Sequence, residues 1–315
     1  MPNYHFITHF DLDGYVSATL YAEIHKIKNR FYHYANNNKI SQRIERVIAA
    51  KEHDSSDILI ITDLSPKESD CDVIDANFSD WIVFDHHETS KINEKYKNHF
   101  HKGADAELCA TGLVVKNAEK IGLPISPYIK YLSQCVNAFD TWEWKIDPNF
   151  DKHEYKDVEA LDAMFWNVDF SARRTWMNEL CTEKENWAMG DNLLSDNAMI
   201  KANMIINHKN KYLKKVAQES KVVEYAIHDK KYSIAVVRSD EFISEVGNVI
   251  LDAHPTVDFS ITLHGKNKAS LRSHENFDVG HFAETYLNGG GHNQSAGGLL
   301  DEESVLFEKI NNVLE

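Results

Sequence analysis

The sequence predicts an α/β protein with an N-terminal parallel sheet, a helical connector and a smaller α+β domain towards the C-terminus. In the first half, short apolar runs alternate with helical patterns of 3.6-residue spacing. The apolar runs lack polar alternation, which is typical of strands that helices cover on both faces. Between about 155 and 220 the strand patterns stop, and from residue 221 they return.

The first half is predicted to contain a regular succession of strands and helices. The predicted strands lie at 4–10, 30–35, 57–65 and 80–87. The predicted helices lie at 15–27, 40–51, 107–120 and 126–139. Pro66 suits the first turn of a further helix, because proline is favoured at that position. This succession predicts parallel strand pairing.

The second half is predicted to change from all-helical to α+β. Helical patterns cover 157–168, 171–189 and 197–220, and the last is long enough to bridge two domains. Further strands are predicted at 221–227, 231–237, 257–265 and 268–273, and further helices at 241–253, 278–287 and 302–314. A glycine-rich loop separates the last two helices. We expect domains at 1–185 and 221–315, joined by a helical connector at 186–220.

Composition limits the class of protein. With 315 residues and 43% hydrophobic content, the chain is long enough for two domains with separate cores. Its 49 acidic and 34 basic residues give a formal net charge of −15. This excess disfavours binding of long nucleic acid, whose affinity comes mainly from neutralised phosphates. Short phosphorylated ligands stay compatible with it, particularly where bound cations supply positive charge.

The cysteines and the N-terminus predict a soluble, cytoplasmic protein that does not bind membranes. The cysteines lie far apart without a C-x-x-C pair, at Cys71, Cys109, Cys135 and Cys181. We interpret them as reduced core residues, with no thiolate near the polar cluster described next. The N-terminus has no basic segment followed by an apolar one, and the longest aliphatic run, at 58–61, is too short to span a bilayer.

Ionisable residues follow several of the predicted strands. His9, Asp11 and Asp13 alternate in "THFDLDGYVSATL", so they share one face if the strand stays extended through them. The other such residues are Asp63, Asp85, His86 and His87, and Asp140 ends a predicted helix. The carboxyl ends of parallel strands lie on one edge of a sheet, where open α/β folds bind ligands. We expect these side chains to meet there.

Simpler explanations exist for each of these residues alone. Asp63 and Asp13 suit the N-cap of a helix, and "DHH" suits a solvated loop. The same explanations would have to hold at every strand end. Five carboxylates on one edge would also repel each other and raise their pKa values unless cations neutralised them. A pair of bound cations explains the whole pattern.

The types of ligand indicate which cation binds. Carboxylates with a few imidazoles suit Mn²⁺ or Mg²⁺ better than a structural Zn²⁺. Two such ions about 4 Å apart clamp both the attacking and the leaving oxygen of an in-line phosphoryl displacement. The pattern therefore predicts phosphoester hydrolysis.

A second group of residues suits the binding of an anion. Gly289, Gly290 and Gly291 allow the backbone to approach a ligand closely, and His292 follows them. Arg272, on a predicted strand, has the fork geometry that phosphate recognition uses. The glycines alone would equally suit a helix C-cap and a tight turn.

Four segments resemble, in order, the motifs of the DHH phosphoesterase superfamily: "HFDLDG", "TDLS", "FDHH" and "AFDTW". The segment "SLRS…DVGHFAETYLNGGGHNQSAGG" resembles the DHH-associated C-terminal domain. The resemblance implies that His9 and Asp11 bind one Mn²⁺ and Asp13 the other, and that Asp63 bridges both. It implies that His86 and Asp140 complete the second site, that Asp85 is a ligand or supports one, and that His87 contacts the scissile phosphate. It further implies that Arg272, Gly289, Gly290, Gly291 and His292 hold the far end of the substrate across a cleft between domains.

Within this superfamily the chain resembles short oligoribonucleases and phosphodiesterases of small nucleotides. The resemblance implies a hydrolase for short oligonucleotides or nucleotides such as 3′-phosphoadenosine 5′-phosphate, with a homodimer as one possible assembly. The family sequence A-A-G reads Ser295-Ala296-Gly297 here, and the helical stretch at 155–220 is longer than in the shortest members. The first departure is mild, and the second leaves the spacing between domains and therefore the accepted substrate length open. A RecJ-like single-strand exonuclease and a non-catalytic nucleotide sensor are the alternatives.

Overall fold

The computed structural model describes residues 2–50, 56–87, 94–101, 108–153, 155–182, 184, 186–227, 230–274 and 276–314. The chain folds as two compact units, Met1–Asn203 and Met204–Glu315. The expected division into a domain at 1–185, a helical connector at 186–220 and a domain at 221–315 stays a prediction.

The first unit contains the predicted parallel sheet. Its strands are β1 (Tyr4–Thr8), β2 (Arg30–Tyr34), β3 (Ile58–Thr62), β4 (Asp80–Phe84) and β5 (Phe100–His101). Their order is β2-β1-β3-β4-β5, and every pair is parallel. The two-residue strand β5 gives no pattern in the sequence, because it is too short to show a period.

The helices of this unit pack on the sheet or on one another. They are α1 (Leu12–Ile24), α2 (Ile40–Ala49), α3 (Glu68–Asn77), α4 (Ala110–Lys120), α5 (Pro127–Asp140), α6 (Glu143–Ile146), α7 (Val158–Asn167) and α8 (Phe170–Cys181). Ile7 and Ile61 of the sheet share a core with α2 and α3. Phe6 and Ile60 share another core with Ala18 of α1. Alternate strand residues therefore pack on opposite faces, which confirms that helices bury the sheet on both sides.

Several predicted boundaries were wrong. β1 ends at Thr8 instead of residue 10, because Asp11 accepts a hydrogen bond from the Gly14 N–H (3.0 Å) and caps α1. The helix after Pro66 begins two residues later, at Glu68. The helix predicted at 171–189 ends at Cys181, because Thr182 has extended backbone dihedral angles.

The second unit has a mixed sheet, as an α+β domain should. Its strands are β6 (Lys221–Ile227), β7 (Lys230–Arg238), β8 (Phe259–His264), β9 (Lys268–Ser273), β10 (Gly290–His292) and β11 (Ser295–Leu299). Their order is β10-β11-β9-β8-β7-β6, and only β7 and β8 pair in parallel among these strands.

Four helices belong to or enter this unit: α9 (Asp196–Glu219), α10 (Ile243–Ala253), α11 (Val279–Tyr286) and α12 (Val305–Leu314). Helix α9 begins in the first unit and ends in the second. The glycine-rich segment was predicted as a loop, but it forms the hairpin β10–β11, since the sheet supplies β9 as a partner. In the described part of the chain, no helix combines the length and the apolar character that crossing a bilayer requires.

Candidate metal centre

The parallel register brings three strand ends together. Thr8 of β1 pairs with Thr62 of β3, which pairs with Phe84 of β4. The Thr62 hydroxyl donates to the Thr8 hydroxyl (2.7 Å), and Thr8 donates to the Gly14 carbonyl (2.6 Å). These bonds tie the strand ends to the first turn of α1. The residues that follow these strands therefore start from one edge of the sheet, as predicted.

His9 and Asp11 form the first pair at this edge. His9 Nδ1 lies 2.5 Å from Asp11 Oδ2. The two residues do not lie on an extended strand as predicted, because Asp11 caps α1 and Asp13 lies within the first turn of α1. Alternation along an extended strand was therefore the wrong reason for the contact.

Asp63 lies at the middle of the centre. One of its oxygens, Oδ2, is 3.5 Å from His9 Nδ1, and the other, Oδ1, is 3.4 Å from His86 Nε2. The residue is 2% exposed and has a left-handed backbone (φ 56°). The N-cap of the next helix is Lys67, so Asp63 does not serve as the helix cap that the simpler explanation required.

His86 and His87 both approach Asp63 Oδ1, and each also contacts a second carboxylate. His86 Nε2 is 3.3 Å from Asp140 Oδ2, at the end of α5. His87 Nδ1 hydrogen-bonds Asp85 Oδ1 (2.6 Å), and the Ser65 hydroxyl donates to the other oxygen of Asp85. Asp85 is 2% exposed, so it holds the His87 ring from a buried position. The "DHH" segment is thus part of a contact network and not a solvated loop.

Asp13 has a partner that the sequence did not indicate. Its two carboxylate oxygens accept the N–H groups of Ala110 and Thr111, each at 2.8 Å, at the start of α4. It therefore caps a helix, although not its own. Cys109 lies beside it, and ligand atoms of Asp13, Cys109 and Asp140 lie within 4.8 Å of one another. The expectation of no thiol near the polar cluster was wrong, because the fold brings α4 against α1.

Burial, together with repulsion between the carboxylates, raises the pKa values of two of them. Burial and the negative charges of Asp11 and Asp13 raise the pKa of Asp63 well above its usual value. Burial and the charges of Asp13 and Asp63 do the same for Asp140. Both carboxylates are therefore costly to ionise without a nearby cation.

In the imidazole–carboxylate pairs, the pKa shifts favour the charged forms. Burial lowers the pKa of His9, but its contacts with Asp11 and Asp63 outweigh this and raise the pKa to about 10. Burial raises the pKa of Asp11, but the hydrogen bond with His9 outweighs this and lowers the pKa to about 2. Burial lowers the pKa of His87, but the hydrogen bond with Asp85 outweighs this and raises it. In these pairs the proton of the imidazole supplies the positive charge.

The donor atoms fit divalent cations. Two buried oxygens, Asp63 Oδ2 and Asp140 Oδ2, accept no hydrogen bond of ordinary geometry from any described residue. Buried carboxylate oxygens are costly when unpaired, and a cation supplies the missing partner. Three overlapping sets of donors lie within 4.8 Å: His9, Asp11 and Asp63; Asp63, His86 and His87; Asp13, Cys109 and Asp140. The centre could therefore hold metal ions.

The predicted anion-binding residues lie in the second unit. Arg272 of β9 donates to the Ser244 hydroxyl (2.9 Å) and to the Leu271 carbonyl (2.7 Å). Its side chain passes α10 at Gly247, where an added Cβ would lie 2.8 Å from Arg272 Cγ. Helix α10 therefore sets the direction of the guanidinium.

The three predicted glycines lie in and before strand β10. A Cβ at Gly289 would lie 2.0 Å from the Gly297 carbonyl oxygen, and one at Gly291 would lie 2.4 Å from the Ser295 carbonyl oxygen. Both positions need glycine for close strand pairing. Gly290 has open space around such a Cβ, and His292 pairs with Ser295 through the backbone. The close approach of β11 explains two of the three glycines, and the Gly289 N–H also donates to the Ala283 carbonyl at the end of α11 (3.1 Å).

Sequence reasoning missed Ser65 and Cys109 at the centre. Ser65 follows Asp63 by two residues, so the motif "TDLS" itself contained a signal for it. Cys109 had no local signal, because its neighbours along the chain are apolar and its contacts come from α1 and α5.

No protein-family model matches the chain. Two characterised proteins align with nearly all of it. Oligoribonuclease NrnB of Bacillus subtilis (strain 168) is 24% identical, and the alignment covers 96% of this chain and 75% of NrnB. A 3′,5′-cyclic-nucleotide phosphodiesterase of Helicobacter pylori (strain ATCC 700392 / 26695) is 22% identical, and the alignment covers 100% and 98% of the two chains.

Solved structures share the fold. Exonuclease RecJ bound to manganese superposes with a TM-score of 0.54, at 15% identity, over 99% of this chain and 89% of RecJ. An exopolyphosphatase-related protein from Bacteroides fragilis superposes with a TM-score of 0.53, also at 15% identity, over 99% and 91% of the chains. At this level of identity the likeness concerns the fold.

Proposed function

We propose that the chain is a member of the DHH phosphoesterase superfamily and a metal-dependent phosphodiesterase that hydrolyses short oligonucleotides or small nucleotides. The observation that carries the proposal is the position of Asp63. Its two carboxylate oxygens face different histidines, His9 and His86, and its charge is buried without a full set of partners. A carboxylate in this position suits a bridge between two cations.

The proposed ligands divide into two sets that share Asp63. His9 and Asp11 complete the first set, and Asp13, His86 and Asp140 complete the second. When bound, two divalent cations would lower the pKa of water and neutralise charge on the phosphoryl oxygens. We propose Mn²⁺, with Mg²⁺ as the alternative, because oxygen and imidazole donors dominate both sets.

His87 and Asp85 act on the substrate side of the proposed reaction. Asp85 accepts from His87 Nδ1, so it fixes the orientation of the ring and favours its protonated form. A protonated imidazole stabilises negative charge on the phosphate as the new bond to phosphorus forms. Ser65 supports this pair through its hydrogen bond to Asp85.

Residues of the second unit are proposed to hold the far end of the substrate. Arg272 would bind a terminal phosphate, and Gly290 would leave space for the ligand next to the hairpin. Short substrates suit the formal charge of −15, which opposes binding of a long polyanion. The candidate substrates are short RNA, 3′-phosphoadenosine 5′-phosphate and 3′,5′-cyclic nucleotides.

Product analysis on a ladder of end-labelled substrates tests the proposal. The metal-free protein is mixed with Mn²⁺ and with dinucleotides, pentamers or long single strands of RNA and DNA. The bisphosphate and cyclic nucleotides named above are included. We expect fast turnover of the shortest substrates only. Processive release of mononucleotides from the long DNA would favour a RecJ-like exonuclease instead.

A pair of variants tests whether the turnover comes from the proposed metal centre. Asp63→Asn should abolish turnover, whereas Asp80→Asn, an exposed aspartate at the start of β4, should retain it. Binding of Mn²⁺ and of nucleotides without turnover of any substrate would contradict the hydrolase and favour a sensor.

A further inference from the structure

Cys109 is a thiol at a centre of otherwise hard ligands. Its Sγ lies within 4.8 Å of a carboxylate oxygen of Asp13 and of one of Asp140. The residue is completely buried, and the resemblance to known motifs assigns it no role. The described part of the chain contains other buried cysteines, but only Cys109 belongs to a group of possible metal ligands there.

The backbone around Cys109 is held firmly. Its N–H donates to Asn137 Oδ1 (2.8 Å), and the next two N–H groups donate to Asp13 (2.8 Å each). Cys109 is also the N-cap residue of α4, although its side chain caps no N–H group. The thiol is therefore fixed next to Asp13 by the same bonds that position the carboxylate.

A second observation indicates a ligand at this place. Asp140 Oδ2 is buried and accepts no hydrogen bond of ordinary geometry from the described residues, and it also lies 3.3 Å from His86 Nε2. Asp140 thus contacts the His86 imidazole and also belongs to the group of Asp13, Cys109 and Asp140. Carboxylate oxygen and thiolate sulfur are both ligands that Zn²⁺ takes in four-coordinate sites.

We propose that the group of Asp13, Cys109 and Asp140 captures a thiophilic divalent cation, Zn²⁺ or its analogue Cd²⁺, with Cys109 Sγ as a ligand. The S–H bond breaks, the metal–sulfur bond forms, and the proton passes to solvent, so no redox partner is needed. The inference rests on the proposed metal centre, which it deepens. Its consequence for the proposed activity is inhibition by zinc, because a thiolate-held cation replaces the harder ion.

Cadmium titration tests the thiol directly. Metal-free protein is titrated with Cd²⁺, and the ultraviolet thiolate-to-cadmium charge-transfer absorption is recorded. We expect one equivalent of this signal in the unmodified protein and its loss in Cys109→Ser. Cys135→Ser is the matched control, because Cys135 is equally buried on α5 and should leave the signal unchanged. A full signal in Cys109→Ser would overturn the proposal.

A measurement on the unmodified protein covers the case in which Cys109→Ser does not fold. X-ray absorption at the zinc edge should show a sulfur shell at about 2.3 Å. A shell of oxygen and nitrogen alone would contradict the inference. Both experiments are independent of turnover. A Cys109-dependent signal in a protein that hydrolyses no substrate would overturn the proposed function and leave the thiophilic site standing.

Discussion

Asp63 shows, at the scale of the residue, how much the centre depends on charge. Its backbone is left-handed, its side chain is 2% exposed, and its Oδ2 atom lacks an ordinary hydrogen bond. Each of these features costs free energy in the protein without metal. Asparagine, like aspartate, is favoured in the left-handed region, whereas alanine adds backbone strain. Asparagine is therefore the cleaner substitution at this position.

We predict that Asp63→Asn separates activity from stability. Mutation of a residue that only supports a metal ligand lowers metal affinity or activity by about 10–100-fold. Loss of the proposed bridging carboxylate should therefore lower kcat/KM by more than about 100-fold. The metal-free variant should be more stable by about 1–3 kcal/mol, because the cost of burying a carboxylate without a full set of hydrogen-bond partners disappears. Urea denaturation with and without Mn²⁺ measures the second effect. A variant that is less stable than the parent without metal would show that Asp63 is well paired already.

The pKa shifts predict how metal binding depends on pH. Without metal, the raised pKa values of Asp63 and Asp140 mean that the folded state binds more protons than the unfolded state above about pH 4, so their contribution to stability falls as pH rises. The His9 contribution, from a pKa of about 10, is present below about pH 6.5 and is lost towards pH 10. Asp11, with a pKa of about 2, contributes above about pH 4 and loses this as pH falls.

Mn²⁺ should therefore stabilise the protein more as pH rises. Binding must displace the protons of His9 and of the raised carboxylates, and each proton released adds up to about tenfold in affinity per pH unit. We expect the Mn²⁺-induced rise in Tm to grow between about pH 5 and pH 8. Thermal melts at constant Mn²⁺ concentration measure it, with Asp63→Asn as the control. A rise in Tm that does not change with pH would argue against His9 as a ligand.

At the scale of secondary structure, helix α10 controls the direction of Arg272. Ser244 accepts from the guanidinium, and Gly247 leaves room for the aliphatic part of the side chain. The Ser260 hydroxyl donates to the Gly247 carbonyl (2.8 Å), which fixes the helix against β8. The arginine is therefore positioned by a neighbouring element and not by its own strand.

We predict that Gly247→Ala weakens substrate binding without slowing the chemical step. The new Cβ would lie 2.8 Å from Arg272 Cγ and force the side chain to move. A hydrogen bond to a charged group contributes about 1.5–3 kcal/mol, so KM for nucleotides should rise about 10–100-fold at unchanged kcat. A small chromogenic phosphodiester without a second phosphate should be unaffected.

The control for this prediction is Asp252→Ala, an exposed position of the same helix. It should leave KM for nucleotides unchanged. An unchanged KM in Gly247→Ala as well would show that Arg272 does not bind the substrate.

At the scale of the whole molecule, the proposed ligands and the anion-binding residues belong to different units. All proposed metal ligands lie within Met1–Asn203, whereas Arg272 and the glycine hairpin lie within Met204–Glu315. Each unit has its own core, with Ile7 and Ile61 in one and Val236 and Leu271 in the other. Metal binding should therefore act on the stability of the first unit.

We predict that Mn²⁺ protects the first unit selectively. A ligand at 100 times its Kd adds about 2.7 kcal/mol to the stability of the state that binds it. Hydrogen exchange with mass spectrometry on the full chain should show slower exchange in peptides of the first unit and little change after Met204. The Asp63→Asn variant should lose this protection. Equal protection of both units would show that they unfold as one.

The sequence by itself determined the alternation of strands and helices, the buried parallel sheet, and the ionisable residues that meet at its edge. This was possible because the signals are local: apolar period, capping residues, and polar side chains at strand ends. Only the tertiary structure decided that Asp13 caps α4, that Cys109 joins the centre, that the glycine segment is a hairpin, and that α10 positions Arg272. The physical reason is that each of these depends on contacts between elements far apart in the chain, and such contacts leave no periodic pattern in the residues that make them.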